Sequence, residues 1–233
     1  MPPTLVIFDC DGVLVDSEPI ANAVFARHLA KIGISLSVKQ TMARFMGRSM
    51  KSCMEDVTAE LHQKNLPVPT NFPEDFLNAM QLDTFAALQA ELQPIKGIVS
   101  ALDAIEAYGF ATCIASSGDH EKMRVTLGKT GLLKRFSERI YSATQVAKGK
   151  PAPDLFLLAA AQMGVAPAQC IVIEDSPFGV QAAVAAGMQA MAYCALTSFD
   201  SMIEMPGVRQ AFALNRVREF QSMDKLPSLL CNA

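Results

Sequence analysis

Tryptophan is absent from the sequence, tyrosine occurs three times, and no run of five basic residues appears anywhere in the 233-residue chain. With a formal net charge of −3, the missing basic run argues against nucleic acid and anionic membrane surfaces as partners. Any anionic substrate must then be drawn by a local group of cations. The three histidines, His28, His62 and His120, lack ligand spacing, and no thiolate pair exists, so zinc is not expected. None of the six cysteines (10, 53, 113, 170, 194, 231) has an arginine six positions downstream, which excludes the loop of a cysteine-dependent phosphatase. Cys-x-x-C is missing too. Cys10, Cys113 and Cys170 lie in or beside apolar runs, where a free thiol behaves as a small hydrophobe. Such usage points to a reducing, cytoplasmic setting rather than a disulfide scaffold. Long apolar runs are also lacking. The Ala/Val/Met-rich stretch 180–196 is interrupted by Gln181, Gly187 and Gln189 and is too short to cross a membrane. No basic segment precedes the first apolar run and Asp9 comes early, so no signal peptide is expected.

What the chain does have is core-forming material: 51% hydrophobic against 18% charged residues, enough for one large domain or a main domain with a smaller one. Its most informative stretch is Leu5-Val6-Ile7-Phe8-Asp9-Cys10-Asp11-Gly12-Val13-Leu14-Val15-Asp16. Four apolar residues without helical periodicity predict a strand covered on both faces. If the extended geometry persists, Asp9 and Asp11 point the same way. Two like charges about 4 Å apart repel by roughly 4 kcal/mol at an effective dielectric near 20. Such a pair requires a cation between its members, or a proton on one of them. Asp11-Gly12 between apolar residues also fits a hairpin turn. A calcium loop fits poorly, because Val13 stands where an oxygen ligand is needed.

Beyond this run two textures follow. Residues 18–91 read as successive amphipathic helices, with breaks at Gly33, Gly47 and Pro67-Val68-Pro69. From Gln93 onward strands alternate with helices. Apolar strands are predicted over 111–115, 140–141, 170–173 and 188–193, with helices over 98–108, 119–127, 153–163 and 178–187. This pattern predicts an α/β fold with a doubly wound, Rossmann-like parallel sheet over 1–15 and 92–233. A small α-helical domain, 16–91, is inserted after the first strand. Ligands of open parallel sheets gather at the carboxyl ends of the strands. There the chain delivers Asp9 and Asp11, Ser116-Ser117, Lys148 and Lys150, and Glu174-Asp175. Each has an ordinary explanation as a helix cap or a solvated charge. Their joint register is what stands out.

Asp9-Cys10-Asp11-Gly12-Val13-Leu14 resembles the first motif of the haloacid dehalogenase superfamily, and Ser116 after its strand resembles the second. Lys150 in Gly-Lys-Pro-Ala-Pro-Asp resembles the third, and Ile173-Glu174-Asp175-Ser176 followed by Gly179 the fourth. Order and spacing match over essentially the whole chain, and the helical insert resembles the cap of the β-phosphoglucomutase-like and phosphoglycolate phosphatase-like branch. The resemblance implies that Asp9 attacks phosphorus and becomes an aspartyl phosphate. Asp11 would protonate the leaving alkoxide and then activate water. Ser116 and Lys150 would hold the phosphoryl oxygens, and Mg²⁺ would bind Asp9, Asp11 (through its carbonyl) and Asp175, with Glu174 behind them. Dehalogenases and phosphonoacetaldehyde hydrolases of the superfamily lack the second aspartate.

Mutases of the branch carry a cap histidine that would fall near position 21, where this chain has Ala21; the nearest histidine is His28. The expectation is therefore a Mg²⁺-dependent phosphatase acting on a sugar phosphate or sugar-acid phosphate, as a monomer or weak dimer. A β-phosphoglucomutase-type mutase and a phosphorelay receiver-like signalling module are the alternatives. Arg44, Arg48 and Lys51 around Gly47 resemble the family's specificity loop, and with Ser117 they are candidate substrate contacts; solvated surface charges are the competing reading.

Overall fold

The computed structural model describes residues 3–45 and 50–231. Two compact units emerge, one built from the chain up to Asp16 and from Gln93 onward, the other spanning 17–92. The backbone N–H of Asp16 donates to the Gln93 carbonyl at 3.0 Å, so both connections belong to the first unit, one residue beyond the sequence-based boundaries.

The first unit is a sheet of β1 (Leu5–Phe8), β2 (Ala111–Ser116), β3 (Ile140–Ser142), β4 (Cys170–Glu174), β5 (Gln189–Tyr193) and β6 (Val217–Phe220). The strands run in the order β3-β2-β1-β4-β5-β6 and every pairing is parallel. All four side chains of β1 are buried, as a central strand with both faces covered requires. Leu5 and Ile7 enter one cluster with Cys113, Ala115, Cys170 and Val172, while Phe8 packs edge-on against Phe136 at 6.4 Å. Burying side chains of this size stabilises by about 1.5–3 kcal/mol each. Strand β6 was not anticipated. Only its ends, Val217 and Phe220, are buried; Arg218 and Glu219 between them break the apolar signal of an edge strand.

The helical unit holds α1 (Glu18–Lys31), α2 (Val38–Phe45), α3 (Met50–Gln63) and α4 (Glu74–Glu91). Its core gathers Phe25, Leu29, Ile34, Phe45, Met54, Val57 and Leu61, with Phe25 and Phe45 rings 4.8 Å apart. His28 Nε2 lies 2.8 Å from Asp83 Oδ2, joining α1 to α4. The sheet unit's helices are α5 (Ile98–Ala107), α6 (His120–Lys129), α7 (Leu133–Phe136), α8 (Asp154–Gln162), α9 (Pro177–Ala185), α10 (Phe199–Ile203), α11 (Val208–Ala213) and α12 (Leu226–Cys231).

Strand order reverses around β1, which puts the switch point of the sheet at its carboxyl end. Phe8 is level with Ile114 of β2 and Ile173 of β4. The next residue, Asp9, therefore lies beside Ala115 and Glu174.

Candidate active site

β1 ends at Phe8, and the extended geometry does not continue to Asp11. Leu14 and Val15 both donate their N–H to the Cys10 carbonyl, and Gly12 turns with a φ of 74°. The Asp9 and Asp11 carboxylates consequently meet different lysines. Lys150 Nζ donates to Asp9 Oδ1 at 2.7 Å, and Lys122 Nζ donates to Asp11 Oδ2 at 2.7 Å.

Lys150 arrives from the loop ahead of α8 with its side chain 5% exposed. It also donates to Glu174 Oε1 at 2.6 Å and to the Ala115 carbonyl at 3.1 Å, so all three ammonium protons are engaged. Burial alone would lower its pKa, but the Asp9 and Glu174 carboxylates outweigh that and hold it charged. Asp9 is shifted the other way from an ordinary carboxyl. Burial raises it to about 7; Lys150 opposes, while Glu174 and Asp11 add to the rise. The other Asp9 oxygen makes no hydrogen bond among the described residues.

Glu174 closes β4, fully buried, and its second oxygen accepts from Ser176 N at 3.0 Å and from Ser176 Oγ at 2.9 Å. Ser176 also caps α9 by accepting from the Gly179 N–H at 3.0 Å. A Cβ at Gly179 would lie 1.9 Å from the Glu174 carboxyl, so that residue has to be glycine. Gly12 is constrained in two ways. Its φ is in the left-handed region, and a Cβ there would lie 2.0 Å from Asp175 Oδ2.

Asp9, Glu174 and Asp175 offer carboxylate oxygens within 4.8 Å of one another. Three carboxylates against one lysine leave excess negative charge. An all-oxygen donor set of this kind fits a hard divalent cation such as Mg²⁺. The Asp11 side chain is not among the three, because it faces Lys122.

At the end of β2, Ser116 is 1% exposed and its Oγ accepts from the Gly118 N–H at 3.3 Å. A Cβ on Gly118 would lie 3.7 Å from Ser116 Oγ and 3.9 Å from Asp11 Oδ2, so the first and second motifs flank this residue. Ser142 Oγ fixes the same turn by donating to the Gly118 carbonyl at 2.7 Å. Ser117 is exposed, as is Lys148. Sequence reasoning passed over Lys122 and Ser142. A lysine in the first turn of a helix, against the macrodipole, was the available signal for Lys122. For Ser142 there was none.

Of the cap candidates, Arg48 lies outside the described residues, with Gly47. Arg44 has another role within its unit. Its Nε donates to Asp56 Oδ2 at 2.9 Å and its Nη1 to Glu60, pinning α2 to α3. Lys51 is exposed beside a groove of ≈ 730 Å³ that Met50, Met54 and Leu77 also line. Among the described residues no helix is long and apolar enough to cross a membrane.

The chain is 29% identical over 217 residues to the 6-phosphogluconate phosphatase of Escherichia coli (strain K12), covering 88% of this chain and 94% of that protein. The fructose-1-phosphate phosphatase of the same organism is 29% identical over 196 residues, 80% of this chain and 94% of the relative. A haloacid dehalogenase-like protein from Agrobacterium tumefaciens superposes with a TM-score of 0.81 at 31% identity, covering 99% of this chain and 98% of that one. The family model that describes the haloacid dehalogenase-like hydrolases matches residues 3–187. By sequence and by fold, the chain belongs to the haloacid dehalogenase-like hydrolases.

Proposed function

We propose that this hydrolase is a Mg²⁺-dependent phosphatase that cleaves a small sugar phosphate or sugar-acid phosphate through an aspartyl-phosphate intermediate on Asp9. The observation that carries the reading is the state of Asp9: one oxygen fixed by Lys150, the other without a hydrogen bond, at the carboxyl end of the central strand. The E. coli relatives named for 6-phosphogluconate and fructose 1-phosphate support the substrate class.

In this reading Asp9, Asp175 and the Asp11 carbonyl hold the Mg²⁺, with Glu174 behind them. When bound, the ion offsets the crowding of these carboxylates around a phosphate. The unbonded oxygen of Asp9 attacks phosphorus in line with the leaving alkoxide. Ser116 Oγ and Lys150 hold phosphoryl oxygens, and Lys150 has to release one present partner to do so. Asp11 gives its proton to the departing alkoxide, then takes one from the water that attacks the aspartyl phosphate. Glu174, gripped by Ser176, keeps Lys150 in place.

Two features favour release of phosphate over its return to the sugar. Ala21 offers a methyl group where branch mutases carry a histidine. His28, the nearest histidine, is 4% exposed and bonded to Asp83. A receiver-like signalling role has no support in a chain that belongs to a hydrolase family. The test is product analysis with hexose phosphates, including β-glucose 1-phosphate, with and without a bisphosphate activator. Inorganic phosphate should be the product, abolished by EDTA and restored by Mg²⁺. Predominant formation of glucose 6-phosphate would overturn the phosphatase reading, and full activity without metal would overturn the Mg²⁺ requirement.

A further inference from the structure

We infer that Lys122 is a positioning residue for Asp11, holding the carboxyl that protonates the leaving group; the inference rests on the acid role given to Asp11 above. A lysine at the third position of a helix is electrostatically misplaced, since the positive end of the macrodipole disfavours a cation there. Local rules are broken most often where function demands it. Lys122 occupies that position in α6, and its Nζ lies 2.7 Å from Asp11 Oδ2.

The lysine is anchored from several directions. Its backbone N–H donates to the capping Asp119 Oδ1 at 2.7 Å, and its carbonyl accepts from Thr126 Oγ1 at 3.0 Å. The turn leading into α6 is tied in turn by Ser142 through the Gly118 carbonyl. Asp11 lies in the Gly12 turn beyond the end of β1, where its backbone bridges to Val15. The short contact from a fixed helix orients the Oδ2 end of its side chain. The Lys122 side chain is 37% exposed and that of Asp11 23%, so the pair stands at the solvent-reachable edge of the sheet rather than in the core.

Positioning of a general acid has a signature that simple phosphate binding lacks. An aryl phosphate such as p-nitrophenyl phosphate leaves without needing a proton, whereas an alkyl phosphate of a sugar needs one. kcat/KM reports the steps through leaving-group departure. The experiment measures kcat/KM on both esters for the Mg²⁺-loaded wild type, Lys122→Met, Lys122→Arg and Asp11→Asn. Lys122→Met should lose on the order of tenfold more on the alkyl ester than on the aryl ester, as a misaimed acid would. Lys122→Arg should recover most of that difference. Equal losses on both esters, or no loss, would overturn the inference and leave Lys122 as a general anion-binding or structural cation. Asp11→Asn separates the two levels of the reading. If it shows no extra loss on the alkyl ester, the acid role fails and the inference with it. If it does while Lys122→Met does not, only the role of Lys122 fails. Should Lys122→Met fail to fold, Lys122→Gln takes its place in the comparison.

Discussion

Asp9 carries the main tension at the scale of single residues. It is buried, it lies within reach of two other carboxylates, and one lysine offsets only part of that charge. Without a cation its carboxyl holds a proton up to about pH 7, against an ordinary value of 3.8. The folded state then binds more protons than the unfolded chain between these two values. Stability rises with pH only where the unfolded state binds more, so this group makes the metal-free protein less stable as pH climbs through that window. A cation needs the ionised carboxylate and must expel the proton below about pH 7. Mg²⁺ affinity should therefore be level above that point and weaken below it, towards about tenfold per pH unit. Titrations followed by calorimetry at about pH 8 and about pH 6 measure this; equal affinities would contradict it. The grouping of Asp9, Lys150, Glu174 and Asp175 at the end of the sheet was legible because polar residues follow where apolar strands stop. Their pairings were not, since the partner of each charge is set by loops and register. Asp11 illustrates this, having been placed beside Asp9 by an extended geometry that the Gly12 turn ends.

Among the elements, α6 links sequence to site most directly. Asp119 accepts from the N–H of Lys122, so one side chain both starts the helix and fixes the backbone of the residue facing Asp11. Asp119→Ala should cost about 1 kcal/mol of stability, read as a shift in a urea unfolding midpoint, and Asp119→Asn should restore most of it. Unchanged stability in Asp119→Ala would mean the cap is not formed in solution. Pro153 ahead of α8 and Gly164 after it made this helix legible beforehand. Strand β6 was not, because Arg218 and Glu219 sit on a sheet edge where burial of alternate apolar residues is not required. Arg44 was open for a related reason: a charge near a candidate loop looks the same in sequence whether it faces a ligand or, as here, meets carboxylates of the next helix.

For the whole molecule, six parallel strands ordered around β1 place four separated sequence motifs at one sheet edge. The sequence changes from helical to alternating texture at Gln93, and the structure has two compact units, one with the chain up to Asp16 and from Gln93 onward, the other spanning 17–92. The central claim is that Asp9 is the nucleophile of a covalent phosphatase. Its most direct test is to quench Mg²⁺-dependent turnover of a hexose phosphate with borohydride, which reduces an acyl phosphate to an alcohol, and to map the modified residue by peptide mass spectrometry. Conversion of Asp9 to homoserine is predicted in the wild type. Asp9→Asn should show no modification and lose more than roughly a thousandfold in turnover. Phosphate release with Asp9 unmodified, or near-normal turnover in Asp9→Asn, would contradict the account.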